Sequence, residues 1–321
     1  MATIAENIQT LKSIKSDIKN AITDKGGAVG NDFKTYAQAI TNLPSGGGNE
    51  DLINLIEGDI TSFTIPDGTT KIGSYAFYLY KSLTDVTIPD SVKSIGKYAL
   101  YNCSALTDVT IGSGVVSIGE RAFYFSGLTN VTIPDSVTEI GDNAFNYCRA
   151  LTDVTIGSGV TRMGSSVFSE CNSLRSVTIR NGVKRIGYQA FYSCPSLVDV
   201  TIPNSVTEIG YGAFHGCSKL KDVTIPDSVT EIAGDSFNGC TSFTSITIPD
   251  SVTIIGEYSF QNCSALTSIT ILATTPPTLG SAVFYNTNNC PIYVPAESVD
   301  AYKAATNWSA YADRIQAIPT V

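Results

Sequence analysis

The chain has 321 residues, of which 15% are charged, with 27 Gly, eight Cys and a single His. Its 20 Lys plus Arg against 29 Asp plus Glu leave a net charge of −9, which argues against gripping nucleic acid or anionic lipid through a basic face. One His all but removes His-based metal centres and His-dependent triads, eight Cys are too sparse for a disulfide-stapled miniprotein, and no apolar run approaches a membrane span.

The chain opens with a texture of its own. Ile4, Ile8, Leu11, Ile18 and Ile22 recur at heptad-like spacing, with Lys15 in the missing seam position. The stripe predicts an amphipathic helix that stops at Gly26-Gly27, followed by a second short helical stretch to Leu43. Residues 1–43 are therefore read as a small α-helical head. A segment this short buries little core alone, so it is expected to dock or to oligomerise through those five apolar positions. The start, MATIAENIQT, has neither a basic region nor an apolar core, so no standard secretory signal is expected. Residues 44–51, which begin Pro-Ser-Gly-Gly-Gly-Asn, read as a flexible linker. The string LKSIKSDIKNAITDKGGAVGNDFKTYAQAITNL resembles a segment near the start of bacteriophage and prophage tail proteins. That resemblance implies attachment of the head to other virion or tail proteins, a trimer among the homo-oligomers, and a virion assembled in the host cytoplasm.

From 52 to 270 the sequence repeats. Units begin at Ile65, Ile88, Ile111, Ile133, Ile156, Ile179, Ile202, Ile225 and Ile248, spaced by 23 residues except for one 22-residue unit, Ile111–Thr132. Such a fixed period marks a solenoid. In each unit the L-T-D-V-T-I pattern alternates apolar and polar residues like a strand with one buried face, and in most units Pro follows and ends it. V-T-E-I-G supplies a second apolar pair and a Gly, a position that wants positive φ or close approach. A-F-x-x-C is short and is read as one helical turn. Its Phe column, Phe77, Phe123, Phe145, Phe168, Phe191, Phe214, Phe237 and Phe260 with Leu100 substituting, predicts an aromatic ladder through the core. The unbroken Thr column from Thr87 to Thr270 is expected to line an exposed face and to support hydrogen bonds between coils.

These units resemble the BspA-like leucine-rich repeat, a bacterial surface-protein type. Cys290–Ile318 resembles the closing segment of that family, so 271–321 is read as a degenerate repeat with an α/β C-terminal cap. The predicted fold class is thus a leucine-rich repeat solenoid with one β-strand and one short helical turn per coil. The family implies adhesion and ligand binding rather than catalysis, with no cofactor, and a bacterial surface adhesin exported by an unrecognised route is the alternative to a tail component.

Candidate chemistry is sparse. Cys103, Cys148, Cys171, Cys194, Cys217, Cys240 and Cys263 share one column, so they lie in a line rather than converge as metal ligands, and read as free buried thiols. Asp85, Asp108, Asp153, Asp199 and Asp222 form an acidic column that suits a solvated sheet edge better than a cation site. Variation between coils is more informative. One varied column runs Tyr75, Tyr98, Arg121, Asn143, Ser166, Gln189, Gly212, Asp235 and Tyr258; a second runs Tyr78, Tyr101, Tyr124, Asn146, Ser169, Tyr192, His215, Asn238 and Gln261. Aromatics crowd the first coils, Tyr80, Phe125 and Tyr147 among them, which predicts an exposed strip. The candidate ligand-binding residues are Tyr75, Tyr78, Tyr98, Tyr101, Tyr124, Tyr147, Tyr192 and His215, with a host surface protein or glycan as partner and no membrane insertion.

Overall fold

The computed structural model describes residues 61–319. The head with Ile4, Ile8, Leu11, Ile18 and Ile22, and the linker 44–51, lie outside the described residues.

Each coil presents three sides. The first is the D-V-T-I strand: in Asp153–Ile156 the Val and Ile are buried and the Asp and Thr face out. Because the period is constant, identical residues meet in parallel register, Val177 opposite Val154 and Ile179 opposite Ile156. A tight turn follows, closed by Val137 N–H donating to the Pro134 carbonyl at 3.1 Å. The second side is a two-residue strand such as Glu139–Ile140, paired in parallel with Arg162–Met163.

The third side corrects the sequence reading. A-F-x-x-C folds as consecutive turns rather than as a helical turn. Its N–H groups alternate in destination. Ala144, Asn146 and Cys148 donate three residues back within the coil, to Gly141, Asn143 and Phe145. Asn143, Phe145 and Tyr147 donate to the next coil, at Ser165, Val167 and Ser169, 2.8–2.9 Å away. This alternation requires left-handed backbone at Asn143 (φ 57°) and Tyr147 (φ 60°), which no helix tolerates. The inter-coil ladder holds the strained residues in place.

The interior is one hydrophobic cluster built from the same columns. Ring centroids of Phe123, Phe145, Phe168 and Phe191 follow one another at 4.9, 5.2 and 5.6 Å, stacked with nearly parallel planes. The Gly column answers to close approach rather than to positive φ: a Cβ on Gly119 would sit 2.7 Å from the Gly96 carbonyl carbon of the preceding coil. Positive φ falls two residues later, at Tyr98, Arg121 and Asn143, in a column that sequence variation alone had marked. Hydroxyl bonds between coils run in columns other than the one starting at Thr87. Thr152 donates to the Thr129 carbonyl at 3.0 Å, and Thr230 to the Thr207 carbonyl at 3.3 Å.

The long-strand sheet is not continuous. It stops at Asp108–Ile111 and resumes at Asn130–Ile133, flanking the unit that is one residue short. Asp222–Ile225 keeps the in-out alternation without ladder pairs, and the sheet resumes again at Ser245–Ile248. Beyond Ile271 the strand period persists: Ile269 faces Ile292 and Ile292 faces Ile315. Between the last two strands lie a helix, Val299–Ala304, and a 3-10 segment, Trp308–Arg314. Tyr302 and Trp308 are fully buried there, with hydroxyl and indole N–H donating to Ala273 and Pro277 carbonyls at 2.7 and 2.8 Å. The Trp308 ring lies 5.9 Å from Phe284, which ends the inner ladder.

Candidate binding surface

The left-handed turns set the candidate residues on one side of the rod. Two residues per coil flank the buried Ala-Phe pair, and the parallel register stacks each on its counterpart. Tyr75 stacks on Tyr98 at 5.0 Å and 3°, and Tyr78 on Tyr101 at 5.0 Å and 16°. Tyr101 continues onto Tyr124 at 5.1 Å, after which Tyr147 tilts against Tyr124 and stacks on Phe125 at 4.8 Å.

Two guanidinium groups complete the patch. Arg121 lies 5.6 Å from the Tyr98 ring and 5.8 Å from Tyr124; Arg149 lies 5.8 Å from Phe125 and 5.3 Å from Tyr147. The Tyr98 hydroxyl accepts from Arg121 Nη1 at 2.6 Å and donates to Glu120 Oε1 at 3.4 Å, while Glu120 pairs with Lys97 Nζ at 3.2 Å. The Tyr98 bond raises the Arg121 pKa further, and partial burial, then neighbouring phenols, raises those of Tyr78 and Tyr124. At neutral pH Tyr78 and Tyr124 are therefore neutral phenols and Arg121 a fixed cation.

The structure thus brings together Tyr75, Tyr78, Tyr98, Tyr101, Tyr124 and Tyr147. It sets Tyr192 and His215 apart: they stack on each other at 4.8 Å, separated from the patch by the buried Asn146 and Ser169 of the same column. Tyr80, expected in the exposed strip, is buried, because it stands in the Cys column of its coil. Phe125, expected in the exposed strip, and Arg121, from the first varied column, join the patch, whereas Arg149 was singled out by no feature of the sequence. A second exposed pair, Tyr188 and Tyr211, stacks at 5.6 Å directly after the Gly column, where variation was the available signal. The Tyr211 hydroxyl donates to the Asp235 carboxylate, a bond that with partial burial pushes its pKa up to about 12. Asp235 also lies 4.0 Å from His215 Nδ1.

Stacking has a chemical consequence. Rings stacked along the rod cover each other's faces and leave edges and hydroxyls outward. Such a row presents ring edges and phenolic oxygens rather than flat faces.

The thiol column is inert in a different way. Every Cys is free and buried, and Cys103, Cys148, Cys194 and Cys217 each donate to the carbonyl of a Phe in the preceding coil at 3.0–3.2 Å. Burial pushes Cys148 and Cys217 up to about 12, so these groups stay protonated and unreactive. Among the described residues no group of three or more His, Cys, Asp or Glu is placed to hold a metal ion, and no helix is long and apolar enough to cross a membrane.

The family model described as BspA type leucine rich repeat region matches residues 57–175 and 184–305, in six copies. No curated protein matches the chain. Among solved structures, a leucine rich cell surface protein from Faecalibacterium prausnitzii is 29% identical over 66% of this chain and 88% of its own, with a TM-score of 0.39. A leucine rich repeat protein from T. pallidum is 31% identical over 50% of this chain and 78% of its own, with a TM-score of 0.48. One from Bacteroides ovatus is 23% identical over 80% of this chain and 92% of its own, with a TM-score of 0.44.

Proposed function

Because the chain belongs to the BspA-type leucine-rich repeat family, we propose that it is a non-enzymatic binding protein, an adhesin displayed at a bacterial surface. One observation carries the reading. On a scaffold whose interior columns barely change, the exposed turn side of the first coils gathers Tyr75, Tyr78, Tyr98, Tyr101, Tyr124 and Tyr147 with Arg121 and Arg149 into one patch. Tyrosine and arginine are the residues that dominate protein recognition, and the ring edges exposed here favour a host surface protein over a glycan on this side. Tyr192 and His215, with Tyr188, Tyr211 and Asp235, are a second, smaller contact area.

The family match supports this surface role better than a virion tail role. The tail reading rests on residues 11–43, which the match does not span and which lie outside the described residues. For residues 1–43 the apolar stripe still motivates self-association or docking. Display of the chain on a non-adherent bacterium tests the proposal. Adherence to epithelial monolayers is expected to rise above an empty-display control and to fall with Tyr78→Ser, Tyr101→Ser and Tyr124→Ser combined. Adherence equal to the control would refute the adhesin reading.

A further inference from the structure

We infer that the gap in the long-strand sheet between Asp108–Ile111 and Asn130–Ile133 is a binding site for saccharide hydroxyl groups, separate from the aromatic patch on the turn side. Its origin is the single short unit. Ser126-Gly127-Leu128 stands where the next coil has Cys148-Arg149-Ala150-Leu151. Ser126 keeps the Cys place, buried and 3.1 Å from Cys148 Sγ, so the missing residue falls between it and Leu128. The short-strand sheet passes this unit in register, with Ser117 opposite Glu139 and Ile118 opposite Ile140. That side is anchored, and the shortfall appears in the long strands, which are still joined by Thr129 N–H donating to the Thr107 carbonyl at 3.2 Å and form no ladder pairs beyond it.

The opening has measurable effects. Val109 and Ile111 are 8% and 9% exposed, where Val86 and Ile88 of the preceding coil are 0% and 1%. A cavity of about 360 Å³ lies over them, rimmed by Asp108, Thr110, Ser113, Asn130 and Thr132.

Width selects the occupant. Paired strands run about 4.8 Å apart, so an intercalated peptide strand needs about twice that. Cα atoms across this gap still approach within 8 Å, too close for a strand. One oxygen, accepting from an N–H on one edge and donating to a C=O on the other, fits such a spacing. Water satisfies that geometry, and so do the hydroxyls of a sugar. The rim makes the difference: the Asp108 carboxylate accepts from adjacent hydroxyls, the Asn130 amide both donates and accepts, and Val109, Ile111 and Val131 supply an apolar floor for C–H groups.

Amide shifts of the 15N-labelled chain, titrated separately with methyl α-glucoside, methyl α-galactoside, methyl α-mannoside and N-acetylglucosamine at millimolar levels, test this. At least one sugar is expected to shift amides within 108–113 and 130–134, and Asp108→Asn to weaken it about tenfold. Inserting one Ala after Gly127 restores the 23-residue spacing; it is expected to pair the strands, slow hydrogen exchange at 130–133 and abolish the shifts. If that insertion unfolds the chain, Asp108→Asn with Asn130→Ala serves in its place, and unchanged affinity overturns the site. So does silence of these amides toward all four sugars, a response to calcium chloride alone, or undiminished binding by a folded insertion variant.

Discussion

Two aromatic ladders meet at the coil of Phe123 and Tyr124 and have nearly the same geometry. Phe123, Phe145 and Phe168 stack inside at 4.9 and 5.2 Å; Tyr78, Tyr101 and Tyr124 stack outside at 5.0 and 5.1 Å. The inner rings are fully buried, whereas Tyr78 is 37% exposed. Register alone makes both stacks, because a constant period superposes each residue on its counterpart. Burial decides what each stack does. A Phe removed from water contributes about 1.5–3 kcal/mol, whereas an exposed ring pair adds about 0.5–1.5 kcal/mol and keeps its edge available to a partner. The same repeat therefore builds a stability element and a recognition element side by side.

The largest expected effect on the inner region comes from alkali, a window in which the outer phenols, ordinarily at 10.0, also begin to ionise, so the thiol variants are what isolate the inner contribution. Burial raises Cys103, Cys148, Cys217 and Cys263 from the ordinary 9.0 to about 12. The neutral thiol is the native form, so stability is fully present below pH 9 and is lost as pH rises from 9 toward 12, where the unfolded chain ionises first. Thermal melts should be level through neutrality and collapse in that window. Cys148→Ser with Cys217→Ser should make the decline shallower; an unchanged slope would remove the thiols from the explanation. Next in size, Phe168→Ala should lower unfolding free energy by about 3–5 kcal/mol in urea titrations. Gly119→Ala, whose Cβ meets the Gly96 backbone, should lose about 1–3 kcal/mol. The smallest effect has the opposite sign: Ser166→Gly, at φ 54°, should stabilise by about 0.5–1 kcal/mol by relieving left-handed strain. A loss there would mean the ladder does not hold that residue in the left-handed region.

Much of this was legible because the repeat states it nine times. The Phe column, the alternating D-V-T-I strand and the line of thiols follow from spacing, and so does the gathering of Tyr75, Tyr98 and Tyr101. What stayed hidden depends on contacts between coils. The third side reads locally as a helical turn because its two positive-φ columns are filled mostly by non-Gly residues such as Tyr147; Asn143, Gly212, Gly216 and Gly239 carried the left-handed signal, and the bonds to Ser165 and Ser169 impose it throughout. The Gly column left two causes open, and only the Gly96 backbone beside Gly119 chooses between them. Cys read as a small hydrophobe, while its S–H donates to a Phe carbonyl one coil away. Tyr80 looked like a surface aromatic until its register placed it among the buried thiols. The short unit was visible as a count, but its effect on the sheet at Asp108–Ile111 was not.

The division of labour between the two ladders is tested most directly by one paired measurement on Tyr78→Ser, Tyr101→Ser and Tyr124→Ser combined: adherence to epithelial cells and melting temperature. Adherence should drop to the level of an empty-display control while the melting temperature moves by only a few degrees. Undiminished adherence, or a collapse in melting temperature as large as that of Phe168→Ala, would contradict it.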